Sequence, residues 1–241
     1  MKIRNRRIIL VLEKIYDKIV PSFIKNNRTF NKWLYKYLIG SWFDVDFKQK
    51  YEKFKTKDWI YLYDSLYVHR IRDEDITENQ KKFVLKYLEG NSIVDVGCGL
   101  GFLCKQIVMK NDKYKVVGCD LSPVAIKDDN ERFRRISRLK FKVENITQLS
   151  FRDKQFDTSI SCHVIEHVLN YKKAIRELVR ITMKRLIIIV PEEYYKKYSP
   201  DYHINYFNRD NRIESYFPKD FTVVDTQLVD GDRCLVLDKN I

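Results

Sequence analysis

Glycine is scarce in this chain, with seven in 241 residues, and proline scarcer, with five. Neither gathers into a Gly/Ser-rich or repetitive stretch, which excludes a flexible tether or a low-complexity protein. Cysteine is low and unpaired: Cys98, Cys104, Cys119, Cys162 and Cys234 form an odd set with no C-x-x-C pair. That pattern excludes a disulfide framework and a cysteine zinc site, and it fits a reducing, cytoplasmic setting. Long apolar runs are missing as well. The longest near the start, Ile8 to Leu12, is too short to span a bilayer, and no small-residue cleavage site follows it. Acidic residues are nearly absent from residues 1–40, where ten bases meet only Glu13 and Asp17 and supply +8 of the net +13.

What is present suffices for one substantial core with an appendage, since 44% of the 241 residues are hydrophobic. The basic arm suits phosphates of nucleic acid, an anionic lipid surface or a phosphorylated substrate; its plainer role is solvation of the surface. Within it Ile8, Leu12, Ile15 and Ile19 fall at helical spacing, which predicts an amphipathic helix over 8–20, ended by Pro21. Its apolar stripe packs on the rest of the chain, on a second subunit or on a membrane, the last giving a peripheral position at the inner membrane surface. Residues 30–67 are crowded with aromatics, among them Trp33, Trp42, Trp59 and Tyr63, and read as a helical cap. We therefore divide the chain into a basic, aromatic-rich helical extension or lid over 1–75 and a second domain over 76–241.

The second domain is well punctuated. Thr77-Glu78-Asn79-Gln80 has the capping-box pattern and opens a helix that Gly90 closes. Strands are then predicted at 92–96, 115–119, 140–144, 156–161 and 185–190, with helices at about 101–109, 123–135 and 164–180. Thr222–Thr226 and Arg233–Leu237 are strand-like, and Asp230-Gly231 between them is hairpin chemistry. The expected fold is α/β: a doubly wound, mostly parallel seven-stranded sheet with an antiparallel C-terminal hairpin, plus the N-terminal helical extension.

Against the general scarcity, Gly97, Gly99 and Gly101 crowd into "IVDVGCGLGF" directly after an apolar strand. Bare backbone at a helix N-terminus serves close approach to a ligand. A dinucleotide fingerprint would need its third glycine at position 102, which is Phe102, so the spacing is wrong for a pyrophosphate loop and a nicotinamide oxidoreductase stands as a third alternative. The stretch instead resembles motif I of class I S-adenosylmethionine-dependent methyltransferases, with Asp95 as its acidic residue ahead of Gly97, Gly99 and Gly101. Asp120, followed by Leu121, Ser122 as N-cap and Pro123, matches that family's ribose-binding acid at the second strand tip. "FKVENITQLSF" resembles its third segment, with Asn145 in place of the usual adenine-contacting Asp and Ile146 beside it. As a residue in itself, Asn145 is equally a turn former. The resemblance implies a Rossmann-like fold, S-adenosyl-L-methionine as donor and S-adenosyl-L-homocysteine as product.

"FDTSISCHVIEHV" resembles the family's fourth strand, which places Ser161, Cys162 and His163 near the transferring methyl. His163-x-x-Glu166-His167 also spells a zinc-peptidase signature, but it abuts a strand where that enzyme class needs a long helix. The Glu166-His167 pair looks like that of quinone-type O-methyltransferases, some of which use a divalent cation. In that case His163, Glu166 and His167 would be the donors, whereas the expectation is no metal, the pair shaping the substrate wall. His203, in "HINYFN", resembles the loop that folds over the site in small-molecule members, while His69 with Arg70 and Arg72 forms an arm able to close over a ligand. The catalytic base expected is His163, with His203 second. The acceptor expected is a small, anionic molecule, a sugar or a nucleotide-linked or phosphorylated precursor of a surface glycan, methylated on oxygen. The alternatives are RNA, against which the absent N/D-P-P-Y/F tetrapeptide counts, and a non-catalytic cofactor-binding or membrane-associated scaffold.

Overall fold

A computed structural model describes residues 15–16, 18–38, 44–69, 76–199 and 201–240, with the side chains of residues 68 and 69 left aside. The predicted helix over 8–20 therefore lies mostly outside the described residues, as do Trp42, Arg70 and Arg72. The described part of the N-terminal region is helical, with α1 at Arg28–Leu38 and α2 at Thr56–His69 joined by short 3-10 turns. Next come α3 (Glu78–Tyr87), β1 (Ser92–Val96), α4 (Phe102–Lys110), β2 (Lys115–Asp120), α5 (Pro123–Arg132) and β3 (Leu139–Val143). The chain ends with β4 (Phe156–Cys162), α6 (Tyr171–Ile181), β5 (Thr182–Pro191), β6 (Phe221–Val229) and β7 (Asp232–Lys239).

The seven strands form one sheet in the order β3-β2-β1-β4-β5-β7-β6. The first five pair in parallel, and β7 runs antiparallel to both β5 and β6. Strand order reverses between β1 and β4, so the crevice at their carboxyl ends is where this architecture binds ligands. Local chemistry builds these elements as expected. Thr77 and Gln80 close the capping box on α3, Ser122 Oγ accepts from Ala125 N–H on α5, and Asp230 and Gly231 both take positive φ in the β6–β7 turn.

The inner strands β1, β4, β5 and β7 are buried on both faces, whereas the edge strand β6 is largely exposed. Against one side α6 presents Ala174, Ile175, Leu178 and Ile181, each at most 1% exposed. The spacing is one helical stripe, and each of its larger side chains contributes about 1.5–3 kcal/mol of burial. Phe83 and Val84 of α3, Leu103 and Ile107 of α4 and Ile126 of α5 fill the opposite side.

The expected helix over 164–180 is not continuous. A 3-10 turn at Ile165–His167 precedes α6, which starts only at Tyr171 with Asn170 capping Lys173 N–H. The cause is distant in sequence: Asn205 donates its side-chain amide to the carbonyls of Ile165 and Val168, and Ile204 and Asn205 donate their backbone N–H groups to that of Glu166. The carbonyls that would have propagated a helix are taken.

The N-terminal helices dock on the same side as that loop. Tyr35 of α1 donates to the Tyr198 carbonyl, and the buried Lys48 ammonium pairs with Asp201 at 2.9 Å. Phe47, Trp59, Leu66 and Tyr202 make a small aromatic core between the extension and the loop. Asp64 of α2 accepts from Ser122 Oγ and Tyr67 donates to Asp128, tying α2 to α5. No helix among the described residues is long and apolar enough to cross a membrane.

Candidate active site

The turn after β1 is shaped by left-handed backbone at Gly97 (φ 86°) and Gly99 (φ 54°). A Cβ on Gly97 would lie 2.1 Å from Val164 Cγ2, so only glycine lets β1 pass beneath the β4 turn. Gly99 faces the other way: a Cβ there would meet no atom within 4 Å. Gly97 and Cys98 donate their N–H groups to the Cys119 carbonyl at 2.7 and 3.0 Å, which fastens the loop to β2. At the end of β2, Asp120 accepts from Gly99 N–H at 3.1 Å and from Ser122 N–H at 2.9 Å. Burial pushes its carboxyl up, partly offset by those backbone donors.

These groups open onto a cavity of about 440 Å³ between the sheet and α2. Of the residues picked out from sequence, Asp95, Gly97, Gly99, Asp120, Leu121, Asn145, Ile146, Cys162 and His163 line it. Gly101, Ser161 and His203 do not. Gly101 instead sits at the N-terminus of α4, where a Cβ would come within 2.8 Å of the Phe141 ring, and Ser161 is fully buried in β4. Asp95 is 3% exposed and accepts a hydrogen bond from the Cys104 thiol, which places its carboxylate beneath the loop. Asn145 spends its side-chain oxygen on the N–H and hydroxyl of Thr147, so a turn is the role the geometry gives it. Burial pushes the thiols of Cys98 and Cys162 well above their ordinary range, which leaves them poor nucleophiles and poor metal ligands.

The opposite wall comes from the extension. Phe54, Trp59, Tyr63 and Tyr67 line the cavity there, Trp59 and Tyr63 stacked with ring centroids 6.2 Å apart. Among the described residues the lining includes Asp95, Asp120 and Glu144 but neither lysine nor arginine. The aromatic crowding of 30–67 was the only sequence signal of this wall; which aromatics face inward depends on how α2 docks.

His163 adopts a left-handed backbone (φ 55°), and its ring, 5% exposed, is enclosed by three side chains. Nε2 lies 3.4 Å from Gln80 Oε1 and 3.5 Å from Asp232 Oδ2, and Nδ1 lies 3.5 Å from Glu166 Oε1. His167 also lines the cavity; its Nδ1 is 3.0 Å from the Tyr202 carbonyl and its ring stands edge-on to Tyr63. Behind it, His203 packs its ring 4.7 Å from that of His167 and bonds through Nδ1 to Glu193. Burial opposes charge on His203, but the carboxylates of Asp201 and Glu193 outweigh it and push the imidazole up to about 9. Glu166 is wholly buried; desolvation would raise its carboxyl, yet the three surrounding imidazoles hold it below the ordinary value. Among the described residues two trios bring one ligand atom each within 4.8 Å of one another, Glu166 with His167 and His203 and Glu193 with Asp201 and His203, whereas His163 faces Asp232 and Gln80. The trio of His163, Glu166 and His167, named from sequence only for the case of a metal, is not one of these groups. Sequence reasoning missed Gln80, Glu193, Tyr202 and Asp232, whose roles arise only from strand and loop packing.

Residues 94–190 match the family model described as a methyltransferase domain. The chain is 30% identical over 112 residues to ajmaline N-methyltransferase of Rauvolfia serpentina, covering 45% of this chain and 38% of that one. It is 29% identical over 159 residues to the mitochondrial ubiquinone biosynthesis O-methyltransferase of Dictyostelium discoideum, covering 54% and 49%. The chain thus spans half or less of the length of these relatives. Among solved structures, magnesium protoporphyrin IX methyltransferase from Synechocystis PCC 6803, with bound SAH, superposes with a TM-score of 0.60 at 16% identity, over 77% of this chain and 100% of that one. The glycine turn, the acid at the β2 tip and the strand order agree with these likenesses, and over residues 94–190 the chain is similar to a methyltransferase domain.

Proposed function

We propose that this protein transfers a methyl group from S-adenosylmethionine to an oxygen or nitrogen of a small-molecule acceptor, releasing S-adenosylhomocysteine. One observation carries the reading. At the switch point, Gly99 leaves open space directly beside an Asp120 carboxylate, which is the pairing of bare backbone and acid that an adenosyl sulfonium needs. The donor supplies an already activated methyl, so the chain's task is to orient two substrates in line and exclude water. Asp120 accepts from the ribose hydroxyls, the Gly97–Gly99 turn admits the amino-acid portion, and Ile146 flanks the adenine. The aromatic wall of α2 closes the acceptor side.

The acceptor fits this wall rather than the anionic glycan precursor expected from composition. With three acids and no lysine or arginine in the described lining, an anionic acceptor finds no basic side chain of that kind to pair with. Phe54, Trp59, Tyr63 and Tyr67 instead favour a neutral or cationic molecule with a flat apolar portion. A proton released from its hydroxyl goes toward the imidazole wall, where His163 and His167 line the cavity.

The test is calorimetry with S-adenosylhomocysteine against NAD, followed by methyl-labelled donor offered to phenols, aromatic amines and sugar phosphates. Binding of the homocysteine product alone and label on a phenol or amine are expected. Binding of NAD in its place, or label confined to sugar phosphates, refutes the reading.

A further inference from the structure

Glu166 lies in the turn after β4 with 0% exposure, and neither carboxylate oxygen has a hydrogen-bond partner. A carboxylate withdrawn from water in this way costs several kcal/mol unless a cation meets it. The groups beside it are suited to bring one. One ring nitrogen from each of His167 and His203 and one Glu166 oxygen lie within 4.8 Å of one another. Both imidazoles are oriented from outside. The Tyr202 carbonyl accepts from Nδ1 of His167, and the Glu193 carboxylate takes Nδ1 of His203. With these bonds made through Nδ1, Nε2 of each ring is the nitrogen they leave to a metal, which would displace the proton that His203 carries, and a carbonyl or carboxylate behind each histidine is the usual outer arrangement of a metal site.

A second trio shares His203. Glu193, Asp201 and His203 also gather their ligand atoms, but there Lys48 already pairs with Asp201 at 2.9 Å. Glu193 is therefore an orienting group, and within the two trios the buried carboxylate oxygens without a hydrogen-bond partner are those of Glu166.

We propose that Glu166, His167 and His203 bind one divalent cation of the zinc class at the wall of the cavity. Two imidazoles and one carboxylate form a three-donor set that leaves a coordination position for an exogenous oxygen. His167 is the donor that lines the cavity, so the cation would sit where an acceptor can reach it. When bound it would lower the pKa of an acceptor hydroxyl, a consequence that rests on the methyl-transfer reading, whereas the binding itself does not.

The experiment uses the full chain stripped with chelator and titrated with zinc chloride, and with cobalt(II) for its visible spectrum. One equivalent retained through desalting is expected, with d–d bands of nitrogen and oxygen donors and no thiolate charge-transfer band. Glu166→Gln and His203→Ala should each weaken binding more than about 100-fold, and Glu193→Gln, which alters only the orienting group, by about 10–100-fold. S-adenosylhomocysteine calorimetry on every variant reports whether the fold and the donor site persist. Should the wild-type chain hold metal yet fail to bind the homocysteine, the methyl-transfer reading falls and this one stands. No retained metal in the wild-type chain, a thiolate band, or unchanged affinity in the Glu166 and His203 variants overturns the proposal. If a variant does not fold, the donor atoms seen by X-ray absorption of the wild-type cobalt form decide alone: imidazole and oxygen support it, sulfur refutes it.

Discussion

Two glycines two residues apart separate folding from binding. At Gly99 the backbone is left-handed, so Gly99→Ala carries about 1–2 kcal/mol of strain. In a chain of this size that lowers the melting temperature by roughly 2–8 °C. The new methyl meets nothing in the protein, because it projects into open space at the cavity. Where a donor occupies that space, overpacking costs about 1–3 kcal/mol, or roughly a 5- to 150-fold rise in Kd. Gly97→Ala has the same strain plus a methyl 2.1 Å from Val164 Cγ2, inside the fold. The β4 turn must shift, and the expected loss is about 3 kcal/mol or more. Differential scanning fluorimetry and S-adenosylhomocysteine calorimetry, run where both variants remain folded, read the two effects. Gly97→Ala should be the less stable of the pair, and Gly99→Ala should bind weakly for its modest loss of stability. Wild-type affinity in Gly99→Ala refutes the placement of the donor over this loop.

Two further substitutions test the surroundings of the site. Asp129 of α5 is fully buried with both oxygens lacking hydrogen-bond partners; burial pushes its carboxyl up to about 8, only partly countered by Arg132 at 3.7 Å. The folded chain then binds more protons than the unfolded chain between roughly pH 4 and 8, so this group makes stability fall as pH rises through that window. Asp129→Asn should raise stability at pH 8 by several kcal/mol and flatten the slope; denaturant unfolding at pH 5 and 8 checks this, and an unchanged slope sinks it. Tyr63, stacked on Trp59 at the cavity wall, should act on the acceptor alone. Tyr63→Leu keeps apolar bulk but loses the ring, so the acceptor KM should rise about 2- to 13-fold with S-adenosylhomocysteine affinity unchanged.

Much of the fold was legible because its signals are local. The capping box of α3, Ser122-Pro123 opening α5, and Asp230-Gly231 in the last hairpin each satisfy backbone geometry within a few residues. The glycine turn was legible for the same reason, since left-handed positions near a strand end demand glycine whatever lies around them. The break before α6 was not. Val164 to Leu169 carries no Gly or Pro, and its helix is stopped by Asn205, some 40 residues downstream, which captures the carbonyls of Ile165 and Val168. The same capture decides the histidines. By pinning the turn at Ile165–His167, the 204–205 segment sets His203 beside His167 and leaves His163 to Gln80 and Asp232. Helical spacing alone would have put His163 and His167 on one face.

Charge shows why the acceptor was harder to read than the donor. Net charge is dominated by exposed side chains, and here +8 of +13 falls within the first 40 residues, of which the described bases at Lys18, Arg28, Lys32 and Lys36 are exposed. A cavity samples few side chains, chosen by packing, and this one samples Asp95, Asp120 and Glu144 with no lysine or arginine among its described lining. Lys48, the base from the extension that reaches inward, is spent on Asp201 and on the faces of Tyr195 and Tyr206 rather than on a ligand. The basic arm therefore bears on what the surface meets, and the acidic, aromatic cavity on what the site takes up. A donor that is itself a sulfonium cation is favoured by the same lining that offers an anionic acceptor no lysine or arginine among its described residues.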